Sequence, residues 1–129
     1  MRYHSHLDTG VTADFGDALL ASLAPDGGLW MPDTIPHFTP DQMAIMGAMD
    51  FADCAAELAT YFTDNRFTPK MLKALCQDAY NFDVPMVTFD GRRLDPAMPP
   101  QADEFVLELF HGPTLAFKDF AARFMGRAA

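Results

Sequence analysis

The segment from residue 104 to residue 126 constrains the fold of this chain most, because its periodicity changes at a Gly-Pro pair. Residues 104–110 alternate in a way that is typical of a strand buried on at least one face. Gly112-Pro113 ends this strand. From Thr114 onward the spacing predicts an amphipathic helix with Gly126 just past its end; its apolar positions are Phe117, Phe120, Ala121, Phe124 and Met125.

Lys118 lies in the first turns of this predicted helix. A lysine held beside packed apolar surface loses hydration, which favours the neutral amine, the form that attacks an aldehyde. Without other context, a lysine in the first turns of an amphipathic helix far more often extends into solvent, and helical periodicity alone does not change this. The role of Lys118 therefore has to be decided by the residues around it.

Two stretches of the sequence resemble the threonine synthase family. Residues 109–120, LFHGPTLAFKDF, are similar to the segment that carries the family's cofactor lysine, and residues 18–32, ALLASLAPDGGLWMP, are similar to its amino-terminal segment. They occur in the order and at the spacing of the family. Its members use pyridoxal 5'-phosphate to convert O-phosphohomoserine and water to threonine and phosphate.

The resemblance implies an α+β fold and a division of the chain. Residues 1–82 would form a helix-rich amino-terminal threonine-synthase domain, and residues 83–129 would begin a fold-type-II pyridoxal-phosphate α/β domain. Family members are several times longer, and their phosphate-binding loop lies downstream of the lysine. We therefore expect the carboxy-terminal catalytic portion to be missing, and the 129-residue chain alone to be inactive.

The resemblance also implies roles for individual residues. Lys118 would hold the cofactor and then transfer protons at the substrate carbons as a general acid/base. His111 would contact the cofactor or the substrate phosphate, or else brace the turn by hydrogen bonds. Thr114 would cap the helix and leave its hydroxyl on the cofactor side, while Asp119 would place a favourable charge at the helix start. Phe117 and Phe120 are expected in the core.

The resemblance leaves alternatives open. Where family members commonly have Ser-Thr-Arg-Gly, this chain has SHLDTGV over residues 5–11, so the role of that arginine cannot be transferred. The chain could instead be a non-catalytic docking or vestigial module, for which an exposed apolar patch around Phe110, Phe117 and Phe124 would be evidence. A related phospho-amino-acid lyase with the same lysine is a third interpretation.

Local signals predict four helices before residue 82. Their starts are marked by Asp14, Thr39-Pro40, Asp50 and Thr68-Pro69, each followed by helical spacing of apolar residues. The residues predicted to face inward are Phe51, Ala55, Leu58 and Phe62 in the third helix and Leu72, Leu75, Cys76 and Ala79 in the fourth. The methionines Met43, Met46 and Met49 are predicted to fill the core or cover an interface.

Strands are predicted outside these helices. Leu29-Trp30-Met31 is bounded by prolines and indicates a short strand, and residues 84–89 indicate another, followed by a turn at Asp90-Gly91. Residues 92–103 are predicted to be a surface loop, because Pro96, Pro99 and Pro100 deny donors to any ladder.

Charge and composition restrict the partners. Half of the residues are hydrophobic and the net charge is −9, which argues against nucleic acid and against an anionic membrane. No apolar stretch approaches membrane-spanning length, and we expect a cytoplasmic protein. The anionic substrate that the resemblance implies would need local positive groups against this global charge.

The cysteines and histidines give weaker signals. Cys54 and Cys76 lie far apart on helical segments and are predicted to be reduced, buried thiols. His4 and His6 have the spacing of two side chains on one strand face, but no third ligand is indicated, so we predict a polar strand edge and no metal site.

Overall fold

The computed structural model describes residues 1–94 and 104–129. These residues form five helices and five short strands, in the order β1 (Tyr3–Ser5), β2 (Thr12–Ala13), α1 (Phe15–Ala21), β3 (Trp30–Pro32), α2 (Pro40–Gly47), α3 (Phe51–Phe62), α4 (Pro69–Ala79), β4 (Met86–Val87), β5 (Val106–Leu107) and α5 (Lys118–Ala128). The α+β class is confirmed. Most of the predicted loop over 92–103, with its three prolines, lies outside the described residues.

The first sheet has the antiparallel order β2-β1-β3, so β1 is its central strand. The prediction that His4 and His6 belong to a strand edge is therefore wrong, because β2 and β3 flank His4 on both sides. Nδ1 of His4 lies 2.7 Å from Asp33, and Nδ1 of His6 accepts a hydrogen bond from the Leu29 amide at 2.8 Å. Both imidazoles thus tie β1 to the segment around β3.

The four helix starts predicted before residue 82 are confirmed, and each has its side-chain cap. Asp14 and Asp50 accept hydrogen bonds from the amides three residues later, at 2.8 Å and 2.7 Å. Thr39 forms a complete capping box with Gln42, and Thr68 caps α4. Such caps replace lost backbone partners within the first turn, so they depend only on nearby sequence.

The core lies where α3 packs on α4. Leu72 and Cys76 are completely buried and pack with the buried Ala56. The prediction for α4 is confirmed for Leu72, Cys76 and Ala79, whereas Leu75 is half-buried, and the prediction for α3 is shifted. Ala52 and Ala56 are the buried residues of α3, whereas Phe51 is exposed and Ala55, Leu58 and Phe62 are only half-buried. Small alanines let the two helices approach closely, which moves the larger side chains to the margins of the contact.

Helix α5 packs against α4 through an aromatic cluster. The Phe120 ring lies 5.3–5.8 Å from the rings of Phe51, Tyr80 and Phe82. Arg123 donates hydrogen bonds to the main-chain oxygens of Ala79 at 2.5 Å and Asp78 at 3.0 Å, which satisfies carbonyls at the end of α4. The start of α5 is thereby fixed on the helical layer.

Three further predictions are corrected by the structure. Helix α5 begins at Lys118 rather than near Thr114 and continues through Gly126 to Ala128. Met43 is 64% exposed and α2 has no buried residue, so the prediction that its methionines fill the core is wrong. Cys54 is half-buried, whereas Cys76 is buried as predicted, and both are free thiols.

Over residues 1–94 and 104–129, no helix has the length and hydropathy needed to cross a membrane. In the same ranges, no three side chains of His, Cys, Asp or Glu are grouped as metal ligands.

The buried thiol and phenol at the α3–α4 contact should make stability depend on alkaline pH. Burial raises the pKa of Cys76 from 9.0 to about 11, and burial with the nearby Cys76 raises the pKa of Tyr80 from 10.0 to about 12. The unfolded chain therefore releases these protons first, and stability is lost as the pH rises from about 9, the unfolded pKa of Cys76, to about 12, the folded pKa of Tyr80. We expect urea unfolding to show a declining free energy over this range.

Cys76→Ala separates the two groups in that measurement. The variant should be less stable at neutral pH because it leaves a small cavity, but its decline above about pH 9 should be shallower and should begin nearer to pH 10. Equal slopes for Cys76→Ala and the parent chain would contradict the assignment to Cys76.

Candidate functional site

The candidate site is the loop that joins β5 to α5. Strand β5 pairs antiparallel with β4, and the Glu108 amide donates to the Pro85 oxygen at 3.0 Å. The chain then passes through Gly112-Pro113 and reaches Lys118, the first residue of α5. The hairpin fixes the start of the loop, and the packing of α5 on α4 fixes its end.

The strand before this loop is shorter and more exposed than predicted. Only Val106–Leu107 forms the strand, and both residues are exposed. Phe105 and Phe110 are also exposed, the latter at 51%. The prediction of a strand buried on at least one face is therefore wrong for the described residues, which place no second layer over it.

Asp119 is the buried polar centre of the loop. It is only 5% exposed, and its two carboxylate oxygens accept hydrogen bonds from the amide and the hydroxyl of Thr114, both at 2.9 Å. The Asp119 amide donates to the Ala116 oxygen at 3.0 Å. Side chain and main chain of one residue thus fasten the loop to the helix.

Gly112 makes this arrangement possible. A Cβ atom added at Gly112 would lie 2.4 Å from Oδ2 and 2.7 Å from Cβ of Asp119. Such a distance is far shorter than a van der Waals contact, so any larger residue would displace the carboxylate. Gly112 is required because of this close approach.

The prediction that Thr114 caps the helix is wrong. The N-cap of α5 is Phe117, and no side chain caps it. Thr114 is instead the donor to Asp119, five residues later, and the helix begins at Lys118, four residues after Thr114. A capping Thr114 would accept a hydrogen bond from an amide of the first helical turn. Here Thr114 donates instead, because the Asp119 carboxylate can accept hydrogen bonds from both its amide and its hydroxyl.

Lys118 is exposed at the first position of α5. Its neighbours Phe117 and Leu115 are 66% and 74% exposed. The prediction that Phe117 lies in the core is therefore wrong, whereas Phe120 is packed in the aromatic cluster. The packed apolar surface expected beside Lys118 is not supplied by the described residues. Its amine is accessible to a ligand from solvent.

His111 is held by local contacts. Its Nε2 lies 2.6 Å from Oε2 of Glu108, and its ring stacks on Phe110 with a centroid distance of 4.6 Å. Of the two roles left open by the sequence, bracing of the turn is visible in these contacts. The pair also leaves the imidazole partly exposed beside the loop that leads to Lys118.

Two residues of this site were not singled out as contacts by the sequence. Glu108 was part of the predicted strand, and Asp119 was expected to act only through its charge at the helix start. The available signal was an acidic residue three positions before His111 and another five positions after Thr114, which are spacings that a tight turn can close.

Known proteins match nearly the whole of this chain. Residues 2–80 match the family described as threonine synthase N terminus. The chain belongs to the threonine synthase family. It is 35% identical over 127 residues to threonine synthase from Pseudomonas aeruginosa, and the aligned part is 98% of this chain and 26% of that protein. With threonine synthase from Corynebacterium glutamicum the identity is 33%, covering 98% of this chain and 26% of that protein.

Solved threonine synthase structures share the fold. The crystal structure of threonine synthase from Escherichia coli superposes with a TM-score of 0.84 at 29% identity, covering 98% of this chain and 27% of that one. PLP-bound threonine synthase from Brucella melitensis gives a TM-score of 0.83 at 36% identity, covering 99% and 26%. The chain thus spans about a quarter of the length of its threonine synthase relatives.

Replacement of Gly112 tests the geometry of the loop. Gly112→Ala should reduce the free energy of unfolding by about 1–3 kcal/mol, because the new methyl group displaces the Asp119 carboxylate. Gly126→Ala is the matched control, since its added Cβ meets nothing within 4 Å on the same segment, and it should stabilise α5 by about 0.5–1 kcal/mol. Urea unfolding with amide hydrogen exchange at Thr114 measures both. Equal effects of the two substitutions would contradict this geometry.

Proposed function

We propose that this chain provides the cofactor-holding lysine of a threonine synthase that converts O-phosphohomoserine and water to threonine and phosphate. The observation that carries the proposal is Lys118, an exposed amine at the start of α5 and at the end of a loop fastened on both sides. The similarity to threonine synthases over nearly the whole chain supports the same assignment.

The residues present fit pyridoxal 5'-phosphate in the part of the site that they form. A primary amine is the group that this cofactor needs for covalent attachment, and Lys118 offers one that solvent can reach. The start of α5 has no side-chain cap, but the amides of Asp119 and Phe120 already donate to the main-chain oxygens of Ala116 and Phe117, so the fit rests on the Lys118 amine. When bound, the cofactor supplies an electron sink for chemistry at the substrate carbons.

In this proposal the described residues have separate tasks. Lys118 holds the cofactor and, once released from it, moves protons at the substrate carbons through Nζ. His111, oriented by Glu108, contacts the cofactor or the substrate phosphate. Thr114 places its hydroxyl oxygen on the cofactor side of the loop. This oxygen can still accept a hydrogen bond while the hydroxyl group donates to Asp119.

The proposal includes the organisation of the chain. Residues 1–82 act as the amino-terminal domain and residues 83–129 as the start of the catalytic domain, in a cytoplasmic enzyme. The cleaved carbon–oxygen bond makes it a lyase, and the substrate is anionic. The 129 residues alone do not turn over, since the described residues provide little of a substrate pocket and preorganisation supplies most of the rate.

Reductive trapping tests the role of Lys118. After incubation with pyridoxal 5'-phosphate and borohydride, peptide mapping should place the adduct preferentially on Lys118, and Lys118→Ala should lose it together with the visible absorbance. Lys73→Ala is the matched control, because Lys73 is ion-paired to Asp53 at 2.6 Å and should not affect trapping. Adducts spread evenly over Lys70, Lys73 and Lys118 would count against the proposal for this chain.

A docking function is the second candidate, and exposed apolar residues favour it. Phe110, Leu115 and Phe117 are all more than half exposed around the loop, while Phe124 is half-buried against the core. The occupant we propose is the carboxy-terminal portion of a threonine synthase, because the relatives are about four times as long as the part that this chain covers. An apolar patch at such a position is typical of an interface.

Docking is measured with the part of Escherichia coli threonine synthase that this chain does not cover, supplied as a separate polypeptide. We expect a complex by analytical ultracentrifugation, and Phe110→Asp should weaken it at least tenfold. Ile35→Asp, which also replaces an exposed apolar residue but lies away from the loop, should leave the affinity unchanged. If the parent chain does not bind, docking is excluded for this partner, whereas the trapping result at Lys118 is unaffected.

A further inference from the structure

We propose that Asp119 is a positioning residue that, together with Thr114, holds the β5–α5 loop so that Lys118 is presented to its ligand. This inference rests on the proposed function of Lys118 and deepens it, because it identifies what fixes the amine. Asp119 itself need not touch cofactor or substrate. Its buried carboxylate acts on the loop, and the loop and helix start together orient Lys118.

The first argument is the geometry of the clamp. Both oxygens of Asp119 are used by one residue, with Oδ2 accepting from the Thr114 amide and Oδ1 from the Thr114 hydroxyl, each at 2.9 Å. Two hydrogen bonds to one partner fix orientation as well as distance. A carboxylate on a residue that is only 5% exposed would be costly without such partners, so the arrangement depends on both residues being present.

The second argument is the backbone conformation that the clamp spans. Leu115 lies between Thr114 and Asp119 and has a φ of 58°, in the left-handed region that a leucine rarely adopts. Its amide donates to the Gly112 oxygen at 3.0 Å. Such a conformation persists where surrounding contacts impose it, and the contacts between Thr114 and Asp119 are the ones that enclose it.

The third argument is the position of Lys118 relative to Asp119. The two residues are consecutive in the first helical turn, where successive side chains are about 100° apart around the axis. Because Asp119 is directed inward to Thr114 and Phe120 is packed in the aromatic cluster, Lys118 is directed outward. The helix start can rotate only if the clamp or the cluster is broken.

Matched variants of Thr114 and Asp119 separate positioning from stability. Thr114→Val removes only the hydroxyl donor at nearly constant volume, and Thr114→Ser restores it. Asp119→Asn keeps the size but replaces one acceptor oxygen with an amide donor, which cannot accept from Thr114. Urea unfolding of each variant establishes that it is folded under the conditions of the test. If Asp119→Asn does not fold, the comparison of Thr114→Val with Thr114→Ser decides alone.

Two readouts are taken on separate samples: the NMR environment of each lysine without pyridoxal 5'-phosphate, and the trapped adduct with it. Reductive methylation with ¹³C-formaldehyde gives one NMR signal set per lysine and needs no cofactor. We expect the Lys118 signal to shift in Thr114→Val and Asp119→Asn and to return in Thr114→Ser, while Lys70 and Lys73 stay unchanged. Trapping with pyridoxal 5'-phosphate should show the ratio of Lys118 to Lys73 adduct reduced at least threefold in the first two variants and restored in the third.

The outcomes distinguish this inference from the proposed function. Folded variants in which neither the Lys118 signal nor the adduct ratio changes would overturn the positioning role of Asp119. A parent chain without preferential trapping at Lys118, but with the expected NMR shifts, would contradict the proposed function in this chain and support the positioning role. A change in Thr114→Val that Thr114→Ser does not reverse would also count against the clamp.

Discussion

The packing of Phe120 against Phe51, Tyr80 and Phe82 is the contact on which the arrangement of the chain depends. Phe120 lies forty residues beyond Tyr80, so this cluster joins the carboxy-terminal helix to the helical layer across a long segment. Tilted and edge-on aromatic contacts bury large area with defined geometry. Arg123 adds hydrogen bonds to the end of α4, so that α5 is held both by apolar burial and by directional contacts.

This anchoring explains how an exposed loop can keep a defined shape. The loop between β5 and α5 buries little apolar surface, and local order there must come from hydrogen bonds and fixed ends. Asp119 supplies the hydrogen bonds and Phe120, the next residue, supplies the fixed end. The orientation of the helix start therefore depends on two adjacent residues with opposite character, one polar and one apolar, both directed inward, which leaves Lys118 facing outward.

The structure shows which features a sequence of this kind specifies locally. The caps at Asp14, Thr39, Asp50 and Thr68 were predicted correctly, because each is satisfied within its own first turn. The start of α5 was not, since Thr114 is a typical capping residue, whereas the tertiary anchoring of α5 sets the first helical residue at Lys118 with no side-chain cap. The burial of β5, Phe117 and the α2 methionines was also overestimated. An apolar pattern shows which face of an element can be buried, but it does not show whether another element packs against that face. The threonine synthase family was recognisable because its motif is long and continuous.

The exposed apolar residues and the anchored lysine point to the same order of assembly. Phe110, Leu115 and Phe117 are exposed around a loop whose conformation is already determined by contacts within the described residues. Asp119 is buried and doubly hydrogen-bonded by residues of this chain alone, so the shape of the loop does not depend on an added layer. A second layer that packs over these side chains would therefore enclose a lysine that is already oriented, and its contribution would be to remove water and complete the pocket. Preorganisation of this kind reduces the ordering cost that binding would otherwise carry.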